Sequence, residues 1–489
     1  MVMTGIAHGS IDDRKAVGQK ARELIPLSTH ASWRPASDRL DPVTALEEQS
    51  RAREPDLVPV RYGRMMVSPL TFYRGTAKIM AADLKGTPVA ELNVQLCGDA
   101  HLSNFGIFAS PERNLVFDLN DFDETLPGPF EHDVKRMAAS FMVAARHNGF
   151  SKSDRRESTL ASVAAYREAM SEFANMGTMD VWYAHLDENQ LAAAVDSAVA
   201  EVVGAATTKK STKKQEEAVE AAKKAAKRAR KAGEKARMRG SMQALSKLGE
   251  VVDGRQRIAS RPPIVVPMRD LAPMYGVTPE DFDSVIRRQF RAYRESLQDD
   301  RRHLLDQFEI VDMAHYVVGV GSVGTRAFIV LLQGRDAHDA LFLQIKEATG
   351  SVLETHLPKS RYRHHGQRVV QGQRMMQAVS DIYLGWAKGE AENRHYYWRQ
   401  LRDMKGSALV EAMAPVALTF YARTCGWTLA RAHARSGDPV AIAEYLDRSD
   451  GFDQSIADFS ARYADQNERD YEQFVSSIRT GRIDVIEGV

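Results

Sequence analysis

Cysteine is almost missing from this chain: Cys97 and Cys425 are the only two among 489 residues. Two thiols cannot build the disulfide framework of a small secreted module, and no Cys-based spacing is present that would hold zinc. Long hydrophobic runs are missing too. No stretch of about 18 apolar residues occurs, so no membrane span is expected. The opening residues, MVMTGIAHGSIDDRKAVGQK, carry charges where a signal peptide needs an apolar core. A reducing, cytoplasmic setting is the expectation. No charge sign dominates: 66 Lys and Arg face 65 Asp and Glu, a net charge of +1. That balance gives no global reason for a nucleic-acid partner. With 44% hydrophobic and 27% charged residues, the chain is neither collagen-like nor largely disordered. At roughly 100–200 residues per domain, the length suits a few domains or one elaborated two-lobed body.

The charge is unevenly placed. Residues 207–240 hold 13 Lys and Arg against 4 Glu, a local +9 that leaves −8 for the remainder. This stretch has high helix propensity but little apolar surface beyond alanine. It reads as a solvated helical insertion or a partly disordered loop. The alternative is a docking arm for an acidic partner or RNA, and the lack of interleaved aromatics for base stacking argues against RNA.

Residues 1–55 are polar and contain Pro26, Pro35, Pro42 and Pro55, which suggests an extended arm with one short helix. Periodicity then predicts a helix over 72–84, strands at 91–97 and 115–119, and an apolar helix at 134–147. Beyond Asp306 it predicts strands at 315–318, 327–332 and 340–345, a helix over about 367–379, and strands at 381–387 and 395–401. The rest reads as helical.

Two segments carry chemistry. In Gly98-Asp-Ala-His-Leu-Ser-Asn104, an Asp closing a strand can orient and deprotonate a hydroxyl. An Asn five residues later can hold a cation that also touches phosphates. Asn120-Asp-Phe-Asp-Glu124 follows the next strand, and its clustered carboxylates suit Mg²⁺. The plainer reading of Asp99 and Asn104, as turn or helix caps, weakens beside this second cluster. Further on, Gly319-Val-Gly-Ser-Val-Gly324 is followed by a strand and not by a helix. That context suggests a flap whose backbone lies close over phosphates, with Gly319, Gly321, Ser322 and Gly324 as the nucleotide contacts. Lys346 ends the apolar strand LFLQIK, where a charge needs a partner such as a phosphate.

GDAHLSN resembles the catalytic loop of aminoglycoside and choline phosphotransferases, which share the kinase-like fold. NDFDETLPGPFEHD resembles their metal-site segment. The resemblance implies Asp99 as catalytic base, Asn104 and Asp121 as Mg²⁺ ligands, Asp123 as a supporting carboxylate, and His101 and Asp133 as organisers of the loop. It makes GVGSVG the nucleotide flap and Lys346 the lysine that grips the α- and β-phosphates of ATP. Cys97 stands where these relatives usually have His. The helix after the lysine strand offers Gln371 and Gln373 where a Glu would pair the lysine. In ordinary kinases the flap and lysine come before the catalytic loop, whereas here they follow it by about 220 residues.

The implied fold is therefore α+β, a protein-kinase-like two-lobe arrangement in circularly permuted order. Residues 1–55 are the arm and 56–305 the first part of a mainly helical large lobe, interrupted by the basic insertion. Residues 306–405 are a small nucleotide-binding lobe, expected to hold five antiparallel strands and one helix within 312–404. Residues 406–489 complete the large lobe. From about residue 57 to 470 the chain is also similar to the bacterial family catalogued as domain of unknown function 2252, through stretches such as RYGRMMVSPLTFYRG, VQLCGDAHLSNFG and RVVQGQRMMQAVSDIYLGW.

Other residues read more plainly. Arg61, Arg64 and Arg74 could bind an anionic substrate but are expected in surface ion pairs. His364 and His365 are expected at the surface, and Tyr396, Tyr397 and Trp398 in the core or against an adenine. No G-x-S-x-G elbow supports serine hydrolysis. The leading expectation is an ATP- and Mg²⁺-dependent phosphotransferase acting on an unknown hydroxyl acceptor. The alternatives are a nucleotide-binding pseudoenzyme or scaffold, in which the basic segment recruits partners, and a nucleotidyltransferase using the same parts.

Overall fold

The computed structural model describes residues 9–207, 213–252, 255–271, 278–317, 323–389, 394–401 and 403–488. It is 56% helix and 15% strand, a mixed α+β protein whose sheets are antiparallel. The chain opens with helices α1 (Ile11–Leu24), α2 (Pro42–Ser50), α3 (Val58–Met65), α4 (Pro69–Gly75) and α5 (Ala77–Leu84). Strands β1 (Asn93–Leu96), β2 (Phe105–Ala109), β3 (Leu115–Leu119) and β4 (Leu126–Pro129) lead into α6 (Phe130–His147) and α7 (Lys152–Ala174). Next come α8 (Thr178–Tyr183), β5 (Leu186–Asp187), α9 (Glu188–Thr207), α10 (Lys213–Arg237) and α11 (Ser241–Leu248). Then follow β6 (Gly249–Val252), β7 (Arg255–Ile258), β8 (Val265–Pro267), α12 (Met268–Leu271), α13 (Pro279–Glu295) and α14 (Asp299–Leu305). Strands β9 (Glu309–Tyr316), β10 (Ala327–Gln333) and β11 (Ala340–Ala348) precede α15 (His365–Met376). The chain ends with β12 (Gly385–Lys388), β13 (His395–Gln400), β14 (Gly406–Ser407), α16 (Pro415–Ala434), α17 (Pro439–Leu446) and α18 (Gly451–Arg479).

The N-terminal residues are more helical than an extended arm. Ser10 caps α1 reciprocally with Asp13, and Asp41 caps α2 through the Thr44 amide with Pro42 at the first position. Pro42 and Pro55 thus start helical turns instead of preventing them.

The larger core is built around α6. Its side chains from Phe130 to Ala145 are all buried, and α7, α16 and α18 pack near it. A helix buried on every side can carry charge only where partners wait, and five of its buried residues, Glu131, His132, Asp133, Lys135 and Arg136, are ionisable. Two of these hold the candidate site.

The second body is a six-stranded antiparallel sheet in the order β12-β13-β11-β10-β9-β8. Alternation along β10 dresses both faces. Val330 and Leu332 join Tyr293 of α13, Leu297 of the link after it and Leu305 of α14, while Ile329 and Leu331 join Leu245 and Leu248 of α11. The sequence led to five strands. The sixth, β8, is three residues long and joins from upstream by pairing Val265 with Tyr316. Among the described residues no helix is long and apolar enough to cross a membrane.

The basic segment is a helix where it is described: α10 packs on α9, with Arg230 paired to Asp196 and Arg237 to Glu188.

Candidate active site

The loop after β1 is shaped by Gly98. Its φ of +85° suits glycine, and a Cβ there would lie 2.3 Å from the Glu124 carbonyl oxygen. The buried carboxylate of Asp133, in the first turn of α6, accepts the amides of Cys97 at 2.7 Å and Gly98 at 3.0 Å. Its Oδ2 also lies 3.2 Å from His433 Nε2, and Tyr166 Oη lies 2.9 Å from His433 Nδ1. Two turns further, Ser140 Oγ accepts the Leu102 amide at 2.9 Å. A single helix therefore fixes both sides of the loop.

Asp99 sits in that frame. Arg136, one turn past Asp133, donates from Nε to Asp99 Oδ1 at 2.8 Å, and Oδ2 lies 3.8 Å from His101 Nε2. Burial opposes the charge on Arg136, but Asp99 outweighs it and the guanidinium pKa rises. His101 is held neutral, its pKa pushed down by burial to about 4. The Asn104 amide donates to the Asp99 carbonyl at 2.6 Å, which occupies its donor end and leaves its oxygen as the end for a cation.

The Asn104 carbonyl in turn accepts the Asn120 amide at 2.8 Å, tying the loop to the acidic segment. Asp123 Oδ2 meets Lys346 Nζ at 2.5 Å and its Oδ1 accepts the Tyr397 hydroxyl at 2.6 Å. Asp121 Oδ1 is 3.7 Å from the same lysine. Lys346 lies in β11 and Tyr397 opposite it in β13, so the sheet delivers both to carboxylates more than 220 residues earlier in the chain. The Lys346 side chain is 3% exposed, yet its pKa rises: burial opposes the charge, and Asp121 and Asp123 prevail.

α15 does not supply the lysine's partner. Gln373 donates to Gln377 at 2.9 Å instead. Arg368 of α15 reaches the carbonyls of Asp123 at 2.7 Å, Thr125 at 2.6 Å and Thr349 at 2.9 Å, fastening the acidic segment to the sheet. Asp123 therefore stands where a helix glutamate was expected.

Two further cations face this corner. Arg399 Nη1 donates to the Asn120 carbonyl at 3.2 Å, and Lys405 precedes β14, which pairs with β2. Burial, with Arg399 beside it, pushes Lys405 down to about 7. Asp121 is lowered too, but through its neighbours: burial would raise its pKa, and Lys346, Arg399 and Lys405 lower it.

Asp99, Asn104, Asp121, Asp123 and Lys346 are thus brought to one place. Gly319, Gly321 and Ser322 lie outside the described residues. Gly324 is described, and its carbonyl accepts the Glu54 amide at 2.8 Å. Among the described residues no group of three or more His, Cys, Asp or Glu side chains converges as a metal cage. Mg²⁺ needs no such cage, because one or two carboxylates plus substrate phosphates suffice, and Asn104 with Asp121 fits that donor set.

Sequence reading missed Arg136, Arg399 and Lys405. Arg136 had a usable signal: it lies three residues after Asp133 on one helix, hence on the same face. Arg61, expected at the surface, is 0% exposed and donates to Gln49 at 2.9 Å and to the Gly75 carbonyl at 2.8 Å. His364 and His365 are half-buried against His395, with ring centroids 4.1 and 5.2 Å away. Tyr396, Tyr397 and Trp398 are buried as expected.

The architecture is that of an α+β protein whose site lies where an antiparallel sheet meets a helical body. The family described as uncharacterised proteins conserved in bacteria, DUF2252, matches residues 53–224 and 218–477, and the chain belongs to it. No curated protein and no solved structure matches the chain.

Proposed function

We propose that this protein is an ATP- and Mg²⁺-dependent phosphotransferase with a kinase-like, circularly permuted arrangement of two lobes. The observation that carries the reading is the meeting of Lys346 with Asp123 at 2.5 Å and Asp121 at 3.7 Å, beside a loop that holds Asp99 and Asn104. In this reading Lys346, Arg399 and Lys405 receive the polyphosphate. Asn104 and Asp121 would hold Mg²⁺, which supplies charge neutralisation on the β- and γ-phosphates. Asp99 Oδ2, the oxygen not taken by Arg136, orients the acceptor hydroxyl. The acceptor oxygen bonds to the γ-phosphorus, the bond to the β–γ bridging oxygen breaks, the hydroxyl proton passes to Asp99, and ADP leaves. Fixed charges and positioning do most of what phosphoryl transfer needs.

The test is Mg²⁺-ATP binding and ATP turnover, measured for wild type and Asp99→Ala with a panel of hydroxyl metabolites. Binding with turnover that the substitution abolishes supports the reading. Binding without turnover in either protein points to a nucleotide-binding scaffold, and transfer of AMP instead of phosphate points to a nucleotidyltransferase. Absence of nucleotide binding removes all three.

A further inference from the structure

Arg53, Arg61 and Arg74 differ from Lys346 and Arg136, whose charges are paired with carboxylates. Among the described residues none of the three has an ion pair, and each has a guanidinium nitrogen shut from solvent without a hydrogen-bond partner: Nε in Arg53 and Arg74, Nε and Nη1 in Arg61. They are neighbours. Arg61 lies close enough to Arg53 for the two charges to repel, and it donates to the carbonyl of Gly75, the residue after Arg74. Arg53 donates to the Val323 carbonyl at the end of the flap segment and feels the charges of Glu124 and Asp123. Arg74 feels Asp99 and Glu411, but neither closes to an ion pair, and Glu411 is exposed to solvent. The row therefore runs from the flap to the catalytic loop.

Its position is fixed. The Tyr73 hydroxyl donates to the Arg136 carbonyl at 2.8 Å, Arg136 donates back to the Tyr73 carbonyl at 2.8 Å, and its guanidinium lies over the Tyr73 ring at 4.0 Å. Arg136 also holds Asp99, so Arg74, the next residue on α4, is bolted to the loop by one side chain. Because Arg136 already neutralises Asp99, Arg74 is not needed for that purpose. Sequestering a guanidinium without a counter-charge is costly. A ligand that brings the missing negative charge would offset that cost. Arginine forks match phosphate oxygens in geometry as well as charge, and several uncompensated cations suit a dianion better than a carboxylate.

We infer that the acceptor is a phosphate-bearing hydroxyl compound, its phosphate received by Arg74 on the arginine row so that its hydroxyl lies at Asp99. The inference rests on the phosphotransferase reading. It adds the class of substrate and predicts a product with one phosphate more than the acceptor.

The test is calorimetric titration of inorganic phosphate into the full chain, alone and saturated with Mg²⁺ and a non-hydrolysable ATP analogue. Wild type should bind phosphate with the analogue present, and Arg74→Gln should weaken that binding by about tenfold or more, the loss of one charge-assisted bidentate contact. Arg74→Lys should fall between, and analogue affinity should stay within about twofold. Thermal unfolding checks that the variants fold, and Arg53→Gln takes the same titration if Arg74→Gln does not. Failure of phosphate to bind, or binding that Arg74→Gln leaves unchanged, overturns the inference. Equal loss of phosphate and analogue binding also overturns it, because the row then serves the nucleotide. If the analogue never binds while phosphate binding survives Lys346→Met and is lost in Arg74→Gln, the nucleotide reading falls and the anion site stands.

Discussion

Lys346 and Arg61 are both almost fully buried cations, yet their surroundings are opposites. Lys346 has Asp123 at 2.5 Å, Asp121 at 3.7 Å and the Tyr397 ring at 5.5 Å. Arg61 has an amide oxygen and a peptide carbonyl. Charge is matched within the protein in the lysine corner and is left unmatched along the arginine row. A buried pair satisfies itself and holds its geometry before any ligand arrives. A buried cation without a carboxylate keeps its attraction for an anion from outside. In the proposed reading, each half of the site is prepared for negative charge by a different route.

Four perturbations can break or sharpen that contrast. The largest effect is expected from Asp99→Ala, which should lower turnover by about 10³-fold, within the range for loss of a positioned general base, while Mg²⁺-ATP affinity changes little. Parallel loss of nucleotide binding would mean that Asp99 belongs to the nucleotide and not to the acceptor.

Lys346→Met should weaken Mg²⁺-ATP binding by about 10²-fold, the scale of losing one buried charge contact to phosphate. It should also lower stability by about 2 kcal/mol, since two partly solvated carboxylates lose their cation. A denaturant midpoint equal to wild type would contradict the matched description of that corner.

Lys405 gives a pH signature. Its folded pKa is depressed to about 7 by burial and by Arg399. Between that value and about 10.5 the unfolded chain binds more protons than the folded one, so its contribution makes stability rise with pH across that window. Lys405→Met should flatten the slope relative to wild type. Phosphates placed beside Lys405 favour its charged form, so Mg²⁺-ATP binding at pH 8 should take up a proton. Calorimetry in buffers of different ionisation enthalpy measures that uptake, and buffer-independent heats would place Lys405 away from the phosphates.

The smallest effect is expected from Arg61→Met. Removing a buried cation that has no carboxylate should change stability by no more than about 1 kcal/mol, because the desolvation cost and two hydrogen bonds disappear together. A loss as large as that of Lys346→Met would erase the distinction between the two regions.

The site was partly legible from local order. Strand β3 spans Leu115–Leu119, where its apolar run predicts it, and Asp99, Asn104, Asp121 and Asp123 lie within 25 residues, so short spacing alone suggested shared chemistry. Lys346 stood out because a charge ended an apolar strand. Arg399 and Lys405 carried no such mark, since an arginine in a strand and a lysine before glycine are ordinary. Strand β8 escaped because three residues carry no period, and α6 starts at Phe130, before the predicted residue 134, because its first turn is polar yet buried.

By itself the sequence determined the elements whose signal lies within one turn or strand: the two segments that carry chemistry, the apolar stretch of α6, the lysine strand and the basic, helix-prone insertion. Only the tertiary structure decided which charges meet. Asp123 faces Lys346, Arg136 holds Asp99, and the arginine row is left without a counter-ion. Pairing of that kind depends on distances between groups tens to hundreds of residues apart, and on burial that turns a weak Coulomb term in water into a decisive one.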